Sequence, residues 1–125
     1  MVLSPNTLNG TNGFVTSYLQ DTCFGWPAGD FDINKDGYKD ILIGADWADV
    51  PGRVDAGIGF VVFGRQNFPA QVDPTALNGS SGFQIWGETA SGHLGYGVSK
   101  AGDFNGDGYD DIMMAARTLP YNGCQ

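Results

Sequence analysis

Glutamate and histidine are almost missing from this chain, and basic residues are scarce. Glu88 is the only Glu and His93 the only His in 125 residues. Lys35, Lys39, Arg53, Arg65, Lys100 and Arg117 are scattered and build no basic patch, which excludes nucleic acid and anionic membrane surfaces as expected partners. No apolar run approaches the ~20 residues of a membrane span, so membrane insertion is not expected. The opening "MVLSPNTLNG" has neither a charged n-region nor an apolar h-region. The chain is therefore expected to be cytosolic, or a mature or trimmed piece of an exported protein. No amphipathic helical stretch stands out. No nucleophile pattern accompanies His93, and no acid/base pair or Gly-rich phosphate cradle lies outside the acidic loops. A non-catalytic protein is expected, with His93 a solvent-facing loop residue. Two cysteines, Cys23 and Cys124, leave the redox compartment open.

Glycine is abundant, at 20 residues; hydrophobic residues make up 42 % and aromatics 13 %. That much apolar material argues against disorder despite a formal charge of −8. Glycine between short apolar runs predicts an all-β chain with tight turns.

The chain repeats itself. "LNGTNGF" at 8–14 returns as "LNGSSGF" at 77–83, an offset of 78 − 9 = 69. "DINKDGYKDILIGA" at 32–45 returns as "DFNGDGYDDIMMAA" at 103–116, an offset of 103 − 32 = 71. "CFGWPAGDF" at 23–31 is echoed with three extra residues by "HLGYGVSKAGDF" at 93–104. Strands are expected at 14–19, 24–28, 40–44, 57–64, 83–87, 94–100 and 111–115. In repeat order they read D–A–B–C–D–A–B. A repeated four-stranded unit of this length suits a β-propeller blade better than a sandwich.

Between strands A and B stands D-x-N-x-D-G-x-x-D. The first copy is Asp32, Asn34, Asp36, Gly37, Tyr38 and Asp40; the second is Asp103, Asn105, Asp107, Gly108, Tyr109 and Asp111. Side-chain oxygens at positions 1, 3 and 5 of a tight loop converge. The carbonyl at position 7 and the carboxylate at position 9 extend the set, as the six to eight oxygens of a calcium shell require. Uncompensated, these carboxylates would repel one another. Two Ca²⁺ would change the formal charge from −8 to −4. An EF-hand is excluded because its position 12 needs Glu, and Ile43 and Met114 stand there in strand-like runs. Magnesium suits an all-protein oxygen cage less well.

These residues resemble the FG-GAP repeats of integrin α-subunit propellers and their bacterial and extracellular relatives. Phe24-Gly25, loop 32–40 and Gly44-Ala45 carry the resemblance in the first copy; Leu94-Gly95, loop 103–111 and Ala115-Ala116 carry it more loosely in the second. It implies residues 1–22 as the last strand of a preceding blade, 23–92 as one blade and 93–125 as the first half of another. It further implies calcium loops on one face of a seven-bladed ring, ligand binding on the opposite face, and an adhesive or recognition role outside a cell. Fewer than two blades cannot close a ring. The chain is expected to be a fragment packed against other blades, the alternative being completion by neighbouring copies in an oligomer or filament. An accessory or lectin-like propeller domain of a secreted enzyme is the competing class. Protein or glycan ligands are both compatible, and Trp26, Trp47 and Trp86 could offer stacking surfaces or core packing. Propeller geometry would put Cys23 and Cys124 on the face opposite the calcium loops, where a disulfide is a hypothesis. Asn9-Gly10-Thr11 and Asn78-Gly79-Ser80 are sequons at equivalent positions; Asn-Gly is also simply a good turn.

Overall fold

The computed structural model describes residues 4–17 and 24–117; of Trp26 only the backbone is described. Cys23 and Cys124 lie outside the described residues. The described chain is all-β apart from two short 3-10 turns.

The first copy of the repeat folds as one antiparallel sheet. Strands β2 (Phe24–Phe31), β3 (Asp40–Ala45), β4 (Ile58–Val62) and β6 (Gly82–Trp86) follow one another in the order β2-β3-β4-β6. Ile41 faces Val62 across β3–β4, and Val61 faces Phe83 across β4–β6. β4 is buried at every position, as its uninterrupted run Ile-Gly-Phe-Val-Val requires when both faces are covered. One face gathers Ala45, Ala48, Val50, Ala56, Ile58 and Phe60. The other gathers Phe31, Leu42 and Val61, on which Val98, Ile112 and Met114 of the second copy pack. Hydrophobic burial therefore joins the two copies.

The second copy contributes β7 (Gly97–Gly102) and β8 (Asp111–Ala115), an antiparallel pair. β7 begins three residues later than the expected 94–100, because Leu94 and Gly95 dock against the first sheet and Tyr96 N–H turns back to His93 O at 3.2 Å.

The N-terminal segment departs furthest from expectation. Of the strand expected at 14–19, only β1 (Val15–Thr16) forms within the described residues. It pairs in parallel with β5 (Gln71–Val72), a strand not anticipated, rather than with the four-stranded sheet. Phe14 stacks on Phe68 at 4.4 Å between ring centres. The repeat also reaches further upstream than its sequence suggested. Pro5–Thr7 and Pro74–Ala76 are matching 3-10 turns, capped by the side chains of Ser4 and Asp73. The signal was present as a capping residue followed by proline. In the turns that follow, Asn9 Oδ1 accepts from the N–H of Thr11 and Asn12, and Asn78 Oδ1 from Ser80 and Ser81.

Candidate metal centre

Both acidic loops join their sheet's first two strands, and they adopt the same local structure. Gly37 and Gly108 take φ of +89° and +91°, the left-handed turn that glycine permits. In the first loop, Asp36 N–H donates to Asp32 Oδ1 and Asn34 Oδ1, and Gly37 N–H donates to Asp32 Oδ2 at 2.9 Å. In the second, Gly108 N–H donates to Asp103 Oδ2 at 2.9 Å and Asp107 N–H to Asn105 Oδ1 at 3.0 Å. Tyr38 N–H and Tyr109 N–H each donate to the position-5 carboxylate, Asp36 or Asp107, at 2.9 Å. The oxygens of positions 1, 3 and 5 thus turn inward over one short stretch of backbone in both copies.

Position 9 closes each loop. Asp40 is fully buried. Its Oδ2 accepts from Ile33 N–H and its Oδ1 from Gly64 N–H, both at 2.8 Å. Burial pushes its carboxyl above the ordinary value, the two N–H donors pull it back, and Asp36 and Asp32 add to the rise. Asp111 Oδ2 accepts from Phe104 N–H at 2.8 Å in the same manner. Asp107 is held below its usual range, chiefly by Tyr109 N–H, then by the Asn105 amide, with Lys35 adding attraction.

The donor set is all oxygen: carboxylates, one amide per loop and the Tyr38 or Tyr109 carbonyl. That chemistry fits a hard divalent cation, and a fully buried carboxylate whose bonded partners are two peptide N–H groups fits a site that expects positive charge. Among the described residues no three His, Cys, Asp or Glu form a preformed metal cluster. Peptide N–H groups hold the loops instead.

The two loops touch. Asp32 N–H donates to Asp110 Oδ2 at 2.8 Å, and the Lys35 ammonium lies 5.3 Å from the centre of the Tyr109 ring. Nearby, Lys100 pairs with Asp30. Neither Asp110 nor Lys35 was singled out by sequence, because each acts across the two copies. Replacing Asp110 by Ala removes the acceptor for Asp32 N–H. It should cost about 1.5 kcal/mol in denaturant unfolding, while Asp110→Asn, which keeps an acceptor, should cost less than half of that.

At the other end of the strands the copies meet backbone to backbone. A Cβ on Gly44 would lie 2.2 Å from the Gly95 carbonyl oxygen, and one on Gly57 would lie 2.1 Å from the Leu94 carbonyl oxygen. Leu94 N–H donates to Ala56 O at 2.9 Å. The Leu-Gly of the second copy therefore sits directly on the Gly-Ala of the first.

Residues 94–123 match the family model of the FG-GAP repeat. This chain carries an FG-GAP repeat. Human integrin alpha-6 is 36 % identical over 100 residues, covering 79 % of this chain and 8 % of that protein. Chicken integrin alpha-V is 34 % identical over 103 residues, covering 80 % and 9 %. Bovine phosphatidylinositol-glycan-specific phospholipase D is 32 % identical over 102 residues, covering 78 % and 11 %. The chain thus spans about a tenth of the length of these relatives. Leu94-Gly95, at the start of the FG-GAP match, is the dipeptide whose main chain rests on Gly44 and Gly57 of the first copy.

One expectation is overturned. His93 is not solvent-facing but buried, with Nδ1 3.1 Å from the Asp46 carbonyl oxygen and its ring edge-on to Trp47 at 4.4 Å. It anchors the approach to Leu94. Trp47 and Trp86 are partly exposed, and Trp86 Nε1 donates to Gln84 Oε1 at 2.7 Å. No helix among the described residues is long and apolar enough to cross a membrane.

Proposed function

We propose that this chain is a calcium-braced, non-catalytic segment of an extracellular β-propeller, serving a structural, adhesive or recognition role. The observation that carries the reading is the pair of matching loops. Each turns the oxygens of positions 1, 3 and 5 inward, and the two stand side by side at one end of successive sheets. Asp32, Asn34, Asp36, the Tyr38 carbonyl and Asp40 would hold one Ca²⁺; Asp103, Asn105, Asp107, the Tyr109 carbonyl and Asp111 would hold the other. The ion would supply the positive charge that peptide N–H groups now supply in part. The integrin relatives favour the adhesive role and the extracellular setting. The sequon residues Asn9 and Asn78, both exposed in turns, are proposed glycan acceptors in a secretory host.

Calorimetric titration of the metal-stripped chain with CaCl₂ should give two sites per chain. Asp36→Ala and Asp107→Ala should each remove one, and Mg²⁺ should bind more weakly. A stoichiometry of zero would remove the metal from the proposal.

The phospholipase relatives support a second reading, an accessory propeller domain beside a catalytic one. In that reading the chemistry would belong to another domain.

A further inference from the structure

An asparagine followed by glycine can lose its side-chain amide to its own backbone. The glycine nitrogen attacks Cγ, the Cγ–Nδ2 bond breaks, and ammonia leaves with the peptide proton. Water then opens the resulting five-membered imide at either carbonyl, giving Asp or an isoaspartyl linkage. Glycine hinders the ring closure least because it carries no side chain. The sequence holds Asn-Gly five times, and the pairs 9–10, 12–13, 78–79 and 105–106 lie among the described residues. The fold controls two requirements: the nitrogen must be free of other bonds, and Cγ must be held beside it.

At 9–10 and 78–79 the nitrogen is engaged: Gly10 N–H donates to Gly13 O and Gly79 N–H to Gly82 O, both at 2.8 Å. At 12–13 the side chain is drawn backwards. Asn12 Oδ1 accepts from Asn9 N–H at 3.0 Å, and its Nδ2 donates to Thr7 O at 3.1 Å. At 105–106 neither obstacle stands. Asn105 Oδ1 accepts from Asp107 N–H and its Nδ2 donates to Asp107 Oδ2, both at 3.0 Å, so the side chain wraps forward past the Gly106 nitrogen. Gly106 N–H has no acceptor among the described residues, and both residues are exposed. Asn34 wraps forward onto Asp36 in the same way, but Lys35 follows it and brings a side chain to the point of closure.

We propose that Asn105-Gly106 is a self-modification site, at which position 3 of the second loop converts to Asp or isoaspartate while Asn34 of the first loop persists. The conversion removes the amide that donates to Asp107 and sets a carboxylate against the Asp107 carboxylate in its place. Asp103, Asp107 and Asp111 then share the loop with a fourth acid. On the isoaspartyl route the main chain gains a methylene inside the loop, and the oxygen at position 3 is carried out of register. Two loops that fold alike therefore diverge as the protein ages. The chemical step does not depend on calcium; only its consequence for ion binding rests on the proposed function.

Peptide-mapping mass spectrometry of the unglycosylated full chain, incubated in EDTA at mildly alkaline pH, reads the conversion at each asparagine. In the native state Asn105 should convert at least about fivefold faster than Asn9 and Asn78, the factor that one backbone hydrogen bond is worth in rate. Asn12 should lag behind Asn105 as well. In concentrated urea, where the wraps and bonds are gone, the four rates should converge. Gly106→Lys should suppress conversion at Asn105; Lys35 already holds φ of +59° at the matching station, so the loop accepts a side chain there. Lys35→Gly should open Asn34 to the same chemistry. A smaller native lead for Asn105, the same lead in urea, or an inert Asn34 in Lys35→Gly would overturn the proposal. A calcium stoichiometry of zero on the same protein would leave the mapping result intact, so the two proposals fail separately.

Discussion

Calcium should raise the melting temperature of this chain by about 10 °C or more between excess EDTA and 10 mM CaCl₂. Extracellular calcium modules bind at roughly 10⁻⁴ to 10⁻³ M, so 10 mM ion stands about tenfold to a hundredfold above Kd. Linkage then gives about 1.4 to 2.7 kcal/mol per site. Two sites in one cooperative unit add about 3 to 5 kcal/mol, and a domain of this size gains a few degrees per kcal/mol. The two loops contact each other through Asp110 and Asp32, which favours one unit over two independent ones. Asp36→Ala and Asp107→Ala should each lose about half of the shift. Differential scanning calorimetry at equal ionic strength measures it, since screening alone relieves some repulsion in a chain of net charge −8. A shift no larger than that produced by NaCl at matched ionic strength would count against occupied loops.

The second large effect lies at the opposite end of the strands. Gly44→Ala should cost about 3 kcal/mol, read as a drop in the urea midpoint. The added Cβ would stand 2.2 Å from Gly95 O and 3.0 Å from Gly95 C, both backbone atoms that cannot swing aside. The sheets must part or shift, and overpacking of this kind typically costs 1–3 kcal/mol or more. Gly29→Ala is the control. Its Cβ would lie 3.6 Å from Ile41 Cγ2, an ordinary contact, in another part of the sheet. It should stay within about 1 kcal/mol of the wild type. Equal losses in both variants would mean that generic strand glycine, rather than the sheet-to-sheet contact, sets the cost.

The repeat made the four-stranded sheet readable in advance. β3 and β4 are short apolar runs with turn residues on either side. β6 and β8 were found because each recurs at a fixed offset from an earlier strand. The loops were readable for the same reason: Asp, Asn and Asp at alternate positions with Gly at the sixth leave few alternatives. What escaped were interactions between copies. Asp110 occupies the same loop position as Lys39, and nothing local says that one reaches the neighbouring backbone. His93 precedes Leu-Gly as Cys23 precedes Phe-Gly, so the repeat gave it no polar counterpart to suggest burial. Its contact with Asp46 spans 47 positions, a relation that local pattern does not carry. β1 was expected to be longer because its apolar residues look like those of β6. Its partner in the structure, β5, is two residues long, and pairing can extend no further than the shorter strand.

The glycine contact between the sheets also determines how the protein bears load. Side-chain interfaces yield gradually, because long rotamers stretch and re-pack while surfaces slide. At Gly44, Gly57 and Gly95 main chain rests on main chain with no such slack. A pull that separates the sheets there meets a steep, short-range resistance, so this edge of the joint is brittle. The loops at the far end, tied by a carboxylate and a lysine on flexible stems, behave as the compliant side. Tension across the two sheets would therefore open them like a book, with the glycine edge parting first and the acidic loops acting as the spine.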